Sequence, residues 1–189
     1  MHIILASRSP RRVELLKQIN VSCTVMPADI DESVWADELA ADYVLRLAVE
    51  KAEAISASVT KTSDQLILAA DTTVVLDKHI LGKPEDDEDA IRMLKKLSGT
   101  THQVHTAVAV CRYNRIQALL NTTHVTMMPL TDAMIDVYIQ AGEHRDKAGS
   151  YGIQGLAGAW IQRIDGSYSG VMGLPLYETA QLLSELKNT

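Results

Sequence analysis

The chain has 189 residues, of which 47% are hydrophobic and 22% are charged, and its formal net charge is −6. This composition is typical of an ordinary globular protein, and we predict a single domain that spans residues 1–189. The acidic balance argues against a general nucleic-acid-binding protein, because such a protein normally presents a basic face.

The first predicted strand and helix meet at a basic loop. The segment Ser7–Arg12 follows a short apolar run, His2–Ala6, and precedes the helical pattern Val13–Ile19. Pro10 suits the first helical position, and Ser9 suits the N-cap. Cations in the first turn of a helix interact unfavourably with its dipole, and this lowers stability unless an anion compensates them. We therefore interpret the loop as a phosphate site; a basic first turn that is exposed to solvent remains the alternative.

The helical period separates the two arginines of this loop. Arg12 lies three and four residues before Leu15 and Leu16, so we expect it to point over the buried face of the helix. Arg11 lies four residues before Leu15 only, which places it at the edge of that face. Arg12 is therefore the stronger candidate for a role inside the fold.

A second strand over Ser22–Pro27 and a long helix over 38–58 follow, with an acidic loop between them that contains Asp31 and Glu32. Lys51 lies four residues after Leu47, on the apolar side of this helix. A lysine in that position either extends to solvent or reaches an anion in a cleft.

Asp71 follows the continuously apolar run Leu66–Ala70, which is typical of a central buried strand. We predict that the strand stops at Asp71, which would place this carboxylate at the carboxyl edge of the sheet, where α/β proteins bind ligands. An unpaired buried charge is costly, so a metal ion, a basic residue or a cleft must compensate it. With Glu32, Asp71 could hold Mg²⁺; a strand-end aspartate that caps a turn is the alternative.

Lys83 lies between Gly82 and Pro84, at the predicted start of a helix over Glu85–Leu97. A lysine with a restricted backbone at this point suits a phosphate, although a solvated loop lysine is an equally common arrangement. The acidic cluster over 85–89 fills the first turns of the helix, where acids complement its dipole, and we interpret it as structural.

The remaining pattern predicts two long strands over 104–113 and 116–128 around a turn at Asn114, a helix from Thr131 to Gln140, a strand over 159–164 and a helix over 174–186. His102 and His105 would lie on opposite faces of their strand, which argues against a zinc site there. A glycine-rich segment, 149–158, matches neither a P-loop nor a dinucleotide fingerprint. Its Gln154 offers a donor and an acceptor to the edge of a base.

Cys23 and Cys111 lie on apolar runs without metal-type spacing, so we expect buried thiols of a reduced compartment and leave a disulfide open. No apolar run approaches the roughly 20 residues of a membrane-spanning helix. Arginines interrupt the first apolar run too early for a signal peptide. We expect a cytoplasmic protein that binds neither membranes nor nucleic acid.

Taken together, these motifs resemble the Maf family of nucleoside triphosphate pyrophosphatases, and the resemblance runs along nearly the whole chain. It rests on their order and co-occurrence: Ser7-x-Ser9-Pro10-Arg11-Arg12, Asp31-Glu32, Glu50-Lys51-Ala52, Ala70-Asp71-Thr72, Gly82-Lys83-Pro84, His102-x-Val104-x-Thr106 and Gly166-Ser167-Tyr168 through Gly173-Leu174-Pro175. The run from Tyr151 to Gly155 is similar to the branch of the family that acts on dTTP and UTP.

The resemblance implies a fold and a reaction. The fold would be a mixed twisted α/β sheet flanked by helices, with two lobes around a central cleft as in inosine triphosphatases. The reaction would release a nucleoside monophosphate and pyrophosphate with Mg²⁺ or Mn²⁺, and the protein would be a homodimer. The alternatives are a pyrophosphatase for 7-methyl-GTP and a nucleotide-binding regulator of cell division.

The same resemblance implies roles for particular residues. Asp71 would be the catalytic proton acceptor, and Glu32 and Asp71 would hold the metal ion, although the two roles of Asp71 compete. The other candidates would bind phosphate groups or select the base: Lys51 and Lys83 at the reacting phosphates, and Ser7, Ser9, Arg11, Arg12, Thr72 and Gln154 as substrate-binding residues.

Overall fold

The computed structural model describes residues 1–59, 65–113 and 115–187, and the predicted turn at Asn114 lies outside these residues. The strands are β1 (His2–Leu5), β2 (Ser22–Val25), β3 (Ile67–Leu76), β4 (His79–Leu81), β5 (Thr101–Arg112), β6 (Arg115–Met127) and β7 (Ile161–Asp165). The helices are α1 (Pro10–Gln18), α2 (Ala40–Ser58), α3 (Asp87–Leu97), α4 (Asp132–Ala141), α5 (Tyr168–Val171) and α6 (Leu176–Lys187), and 3₁₀ turns occur at Ala148–Ser150 and Leu156–Trp160.

The strands form one seven-stranded mixed sheet in the order β2-β1-β3-β5-β6-β7, with β4 paired to β3. β1 is parallel to both β2 and β3, whereas the other pairs are antiparallel. The predicted mixed sheet flanked by helices is confirmed. Its long central strand, β3, connects the parallel part of the sheet to the antiparallel part.

β3 differs from its prediction, because it continues through Asp71 without interruption. Asp71 pairs with Ala107 of β5, and this antiparallel ladder extends on both sides of the pair. The predicted break at Asp71 is therefore wrong. β1 runs parallel to β3 and ends at Leu5, opposite Leu68, so Asp71 lies just past the carboxyl end of β1, where a crevice forms.

The alternation of β3 directs its two polar residues to opposite faces of the sheet. Asp71 shares a face with Ala69, which packs in the apolar cluster beneath α2. Thr72 shares a face with Ala70, which packs in the cluster beneath α1 and α6. Because side chains alternate along a strand, one dipeptide supplies a functional group to each face.

A third apolar cluster lies at the other end of the sheet and packs against α3 and α4. Its largest members are Leu94, Leu97, Met127, Tyr138, Tyr151 and Trp160. The chain thus has two regions of core, one around the amino-terminal half of β3 and one around its carboxyl-terminal half.

Helix α3 begins later than predicted. Asp86 is its N-cap, and the Asp86 carboxylate accepts a hydrogen bond from the N–H of Asp89 at 2.7 Å. This cap satisfies a backbone donor of the first turn, so the helix starts at Asp87 and not at Glu85. Lys83 lies in the loop before this cap, so only the predicted start of the helix at Glu85 is wrong.

Other local predictions agree with the structure or differ by short segments. Asp77 and Lys78 both have positive φ and form the hairpin turn between β3 and β4. The Thr131 hydroxyl caps α4 by accepting a hydrogen bond from Met134. Helix α5 was not predicted, and α6 starts after Pro175 instead of at Leu174.

Cys23 and Cys111 are free thiols, with Cys111 buried and Cys23 half-buried. Over the described part of the chain, every helix is too short or too polar to cross a bilayer.

Candidate active site

A cavity of about 930 Å³ opens beside β3, between the two regions of core. One side consists of the loop between β1 and α1, residues 28–32, and parts of α2 and β3. The other side consists of the loop around Lys83 and the segments 143–148 and 151–155. The predicted cleft is therefore present, and every residue that the sequence proposes for catalysis or binding lines it.

Lys51 bridges two carboxylates in this cavity. Its Nζ lies 2.7 Å from Oδ1 of Asp71 and 2.7 Å from Oε1 of Glu32. Lys51 and Asp71 are each 8% exposed, so the pair is largely shielded from water. Of the two arrangements expected for a lysine on the apolar side of this helix, the structure shows the one in which it reaches an anion in the cleft.

Burial and charge act in opposite directions on these carboxylates. Burial raises the pKa of Asp71 above its ordinary value, although the charge and hydrogen bond of Lys51 oppose the rise. For Glu32 burial also favours the neutral acid, but the hydrogen bond and charge of Lys51, with Lys83 and Arg12 nearby, outweigh it and lower the pKa. Burial thus dominates at Asp71, whereas the nearby cations dominate at Glu32.

The loop that carries Glu32 is fastened to α2 by two side chains. Tyr43 donates a hydrogen bond from its hydroxyl to the backbone carbonyl of Glu32 at 2.9 Å. Arg46 donates to the carbonyl of Ser33 at 2.9 Å and pairs with Glu38, while its guanidinium stacks 4.0 Å from the ring centre of Trp35. The position of Glu32 in the cavity is therefore fixed by α2.

Arg12 connects the loop after β1 to β3, as its helical phase predicts. Its Nε donates to the carbonyl of Gly173 at 2.7 Å, one terminal nitrogen donates to Ser7 Oγ at 2.9 Å, and the other lies 3.3 Å from Thr72 Oγ1. Burial lowers the pKa of Arg12, and the charge of Asp71 partly restores it. Thr106, across from Thr72 in the ladder, completes the cluster with its hydroxyl 3.0 Å from that of Thr72.

Ser9 occupies the predicted N-cap of α1, but its side chain makes no capping hydrogen bond. Its backbone N–H instead donates to Ser7 Oγ at 3.1 Å. Ser7 therefore organises the loop by receiving hydrogen bonds from both Ser9 and Arg12. The N-cap and first turn of α1, residues 9–12, line the cavity, and a helix N-terminus in that position suits an anion.

Arg11, Lys83 and Gln154 also line the cavity. Their side chains form no hydrogen bond or ion pair with another residue in the described ranges, so they are available to a ligand. Lys83 and Gln154 are exposed, and Arg11 is half-buried.

The predicted placement of the two histidines on opposite faces of their strand is confirmed. His102 and His105 lie on opposite faces of β5, with His102 Nε2 2.7 Å from the Tyr151 hydroxyl and His105 Nδ1 2.9 Å from Thr122 Oγ1. Burial lowers the pKa of His102 to about 4, so this imidazole is neutral at physiological pH.

Sequence reasoning missed Glu143 and Lys147, which also line the cavity. Both lie on the turn that follows α4, and no motif or helical period marks them as functional. Only the packing of this turn across the cavity from β3 brings them to the site. A signal for them would have been their short distance along the chain from the glycine-rich segment.

Residues 2–186 match the model of a family described as Maf-like protein. A protein of Methylobacillus flagellatus named dTTP/UTP pyrophosphatase is 58% identical over 181 residues, which cover 96% of this chain and 90% of that protein. A protein of the same name from Pseudoalteromonas atlantica is 52% identical over 185 residues, which cover 97% of this chain and 96% of that one. Among solved structures, the Staphylococcus aureus Ham1 protein is 15% identical with a TM-score of 0.45, over 67% of this chain and 72% of that chain.

Proposed function

Because the chain belongs to the family of Maf-like proteins, we propose that it hydrolyses dTTP and UTP to the nucleoside monophosphate and pyrophosphate. Relatives that are more than half identical over nearly the whole chain carry the name dTTP/UTP pyrophosphatase. The observation that carries the proposal is the single cavity that joins Asp71 and Lys51 to Arg12 and Gln154. This cavity offers a carboxylate to activate water, cations for phosphate oxygens and an amide for the edge of a base.

Asp71 is the proposed proton acceptor. A water oxygen attacks the α-phosphorus, the water proton passes to the Asp71 carboxylate, and the bond between the α-phosphorus and the α–β bridging oxygen breaks with pyrophosphate as the leaving group. Its raised pKa makes Asp71 a stronger base than an exposed aspartate, and Lys51 fixes its orientation. Lys83 and Arg11 provide positive charge for the phosphate oxygens.

The carboxylates also fit a divalent metal ion that arrives with the substrate. Glu32 and Asp71 lie on either side of Lys51 Nζ, which uses one oxygen of each carboxylate. The second oxygen of each carboxylate is left for a metal ion. Within the described residues no cluster of three or more His, Cys, Asp or Glu side chains could form a complete protein cage. Mg²⁺ is commonly held by one or two carboxylates together with substrate phosphates and water, so the two residues suffice. Mg²⁺ or Mn²⁺ bound there would neutralise charge on the phosphate oxygens.

Three residues are the proposed determinants of specificity. Arg12 and Thr72 lie where the loop after β1 meets β3, and Gln154 lies on the loop across the cavity. Ser7 and Ser9 organise the phosphate loop. This arrangement supports pyrimidine nucleotides, canonical or modified, as the substrate class.

The cytoplasmic location and the homodimer also belong to this proposal. Cell fractionation tests the location, and light scattering of the purified protein tests the homodimer.

The deciding experiment incubates the purified protein and Mg²⁺ or Mn²⁺ with dTTP, UTP, dGTP and 7-methyl-GTP, and measures pyrophosphate release. We expect release from dTTP and UTP, and a loss of about 10²–10⁴-fold in kcat for Asp71→Asn. In H₂¹⁸O the label should enter the monophosphate, because water attacks the α-phosphorus. The proposal fails if no pyrimidine triphosphate yields pyrophosphate, or if the label appears in pyrophosphate. Faster hydrolysis of 7-methyl-GTP than of dTTP would contradict the substrate assignment.

A further inference from the structure

The loop that carries Gln154 owes its position to its backbone. The Gln154 side chain is exposed, lines the cavity and forms no hydrogen bond with any other described residue. The position at which this amide can contact a base is therefore set by the backbone of residues 152–156. Whatever fixes that backbone contributes to the choice of base.

Two side chains of α4 and its following turn anchor the loop on either side of Gln154. The N–H of Gly152 donates to the Tyr138 hydroxyl at 3.1 Å, and the N–H of Leu156 donates to Oε2 of Glu143 at 3.0 Å. Between these anchors, the N–H of Gly155 donates to the carbonyl of Gly152 at 3.1 Å and closes a tight turn. Gln154 thus projects from a turn that is held at both ends.

The anchors are themselves fixed. Tyr138 is fully buried, and burial raises its pKa to about 12, so it remains a neutral phenol at physiological pH. Glu143 precedes His144, which is buried with its Nε2 2.9 Å from Asp87 Oδ1 at the start of α3. The contact between His144 and Asp87 therefore attaches the turn after α4 to α3. This attachment fixes the position of Glu143 beside the loop.

Gly155 is what allows the Glu143 carboxylate to approach so closely. A Cβ atom at position 155 would lie 1.8 Å from Oε2 of Glu143, well inside van der Waals contact. The carboxylate therefore occupies the space that a side chain at position 155 would need. The sequence at 155 and the position of Glu143 are coupled.

We propose that Glu143 is a specificity-determining residue that acts through Gln154. Its carboxylate holds the Gly155–Leu156 backbone so that the Gln154 amide meets the edge of a pyrimidine. Glu143 is a positioning residue in this role, because it contacts the loop and not the reacting phosphates. The inference rests on the proposed function, since it takes Gln154 as the group that contacts the base.

The first test compares Glu143→Ala with Glu143→Gln. Both variants lose the charge, but the glutamine retains an oxygen that can accept the hydrogen bond from Leu156. For Glu143→Ala we expect the ratio of kcat/KM for dTTP to that for dGTP to fall by about 10- to 100-fold, since a displacement near 1 Å has effects of that size. Glu143→Gln should keep most of the ratio. Calorimetric binding of inorganic pyrophosphate, which has no base, should be the same in Glu143→Ala and Glu143→Gln, because both variants lose the same charge from the cavity.

Two further measurements separate positioning from general damage. In a Gln154→Ala background, Glu143→Ala should change the dTTP/dGTP ratio no further, because its effect passes through that amide. Amide exchange followed by NMR should show faster exchange at Leu156 in Glu143→Ala than in Glu143→Gln. Gly155→Ala should reproduce both effects by displacing the carboxylate.

The outcomes distinguish this inference from the proposed function. A wild-type protein that does not hydrolyse dTTP refutes the proposed function, whereas the exchange of the Leu156 amide still tests the anchor. If the wild type is active and Glu143→Ala keeps its dTTP preference, the role of Glu143 is refuted. Additive effects of Glu143→Ala and Gln154→Ala, or weaker pyrophosphate binding by Glu143→Ala than by Glu143→Gln, would also overturn it.

Discussion

Lys51 determines how readily Asp71 takes up a proton. The two side chains are almost completely buried and 2.7 Å apart, and Glu32 lies at the same distance on the other side of the ammonium. Burial raises the pKa of Asp71, and the positive charge of Lys51 is the largest influence in the opposite direction. The reactivity of this carboxylate thus depends on a balance between desolvation and nearby positive charge, chiefly that of Lys51.

Replacing Lys51 by methionine should raise the pKa of Asp71 further, because the apolar stem remains while the charge is lost. Since the proposed reaction needs ionised Asp71, the acidic limb of kcat/KM against pH should move to higher pH. The raised pKa also makes the free energy of unfolding depend on pH. A carboxyl with a raised folded pKa loses its stabilising contribution as pH rises from the ordinary value of 3.8 through the folded value. In Lys51→Met this window should extend upward.

An NMR titration of the Asp71 carboxyl carbon measures this pKa directly in the free protein. Lys83→Met is the matched control, because it removes one cleft charge from an exposed lysine that makes no ion pair with a described carboxylate. A much larger shift in Lys51→Met than in Lys83→Met is expected. Equal shifts would mean that the overall charge of the cleft, and not the bridge, sets the pKa.

At the scale of elements, the segment around Gly149 passes so close to β3 that only glycine fits. Gly149 has φ +66, and a Cβ there would lie 2.9–3.0 Å from three side-chain atoms of Val74. Gly149→Ala should lower the free energy of unfolding by about 1–3 kcal/mol through overpacking, in addition to the cost of positive φ. At about 2–4 °C per kcal/mol for a chain of this size, calorimetry should resolve the loss.

Two other glycines separate the causes of that loss. Gly142 has φ +72 with no atom within 4 Å of the added Cβ, so Gly142→Ala reports the backbone strain alone. Gly82 has neither a positive φ nor a close neighbour, and Gly82→Ala should leave the melting temperature nearly unchanged. Equal losses for Gly142→Ala and Gly149→Ala would contradict the role of crowding against Val74.

For helix α2 and strand β3, sequence patterns predict which residues are buried but not which residues meet. The period of 3.6 places Lys51 on the apolar face of α2, and the apolar run before Asp71 places that residue in the interior. Neither pattern predicts the distance between α2 and β3. The 2.7 Å contact follows from the packing of α2 on the sheet, where small residues such as Ala48 and Ala52 allow a close approach.

The predictions that the structure contradicts also have physical explanations. A charged residue after an apolar run resembles a strand end, but β5 pairs with β3 through Asp71 and continues the ladder. The helix after Lys83 starts at the residue that Asp86 caps, and several neighbouring acids offered the same signal. Glu143 reaches the site only because α4 packs on the core beside the glycine-rich segment, which local sequence does not encode.

At the scale of the whole molecule, the cavity has little net charge with which to bind a triphosphate. Six cationic side chains among the described residues line it: Arg8, Arg11, Arg12, Lys51, Lys83 and Lys147. Five carboxylates line it as well: Asp29, Glu32, Asp71, Glu143 and Asp146. The protein around this nearly balanced cavity carries a formal net charge of −6, so its long-range field repels an anion.

A triphosphate should therefore bind well only when a divalent cation offsets its charge. We expect calorimetry with a dTTP analogue that has a non-hydrolysable α–β linkage to give at least a tenfold lower Kd with Mg²⁺ than with EDTA, a difference of about 1.4 kcal/mol. Binding of dTMP, which carries less charge, should depend on Mg²⁺ much less. In Glu32→Gln the cavity is less acidic and lacks one proposed metal ligand, so binding with EDTA should improve while the benefit of Mg²⁺ shrinks. Equal affinity of the wild type with and without Mg²⁺ would show that the cationic side chains alone neutralise the triphosphate.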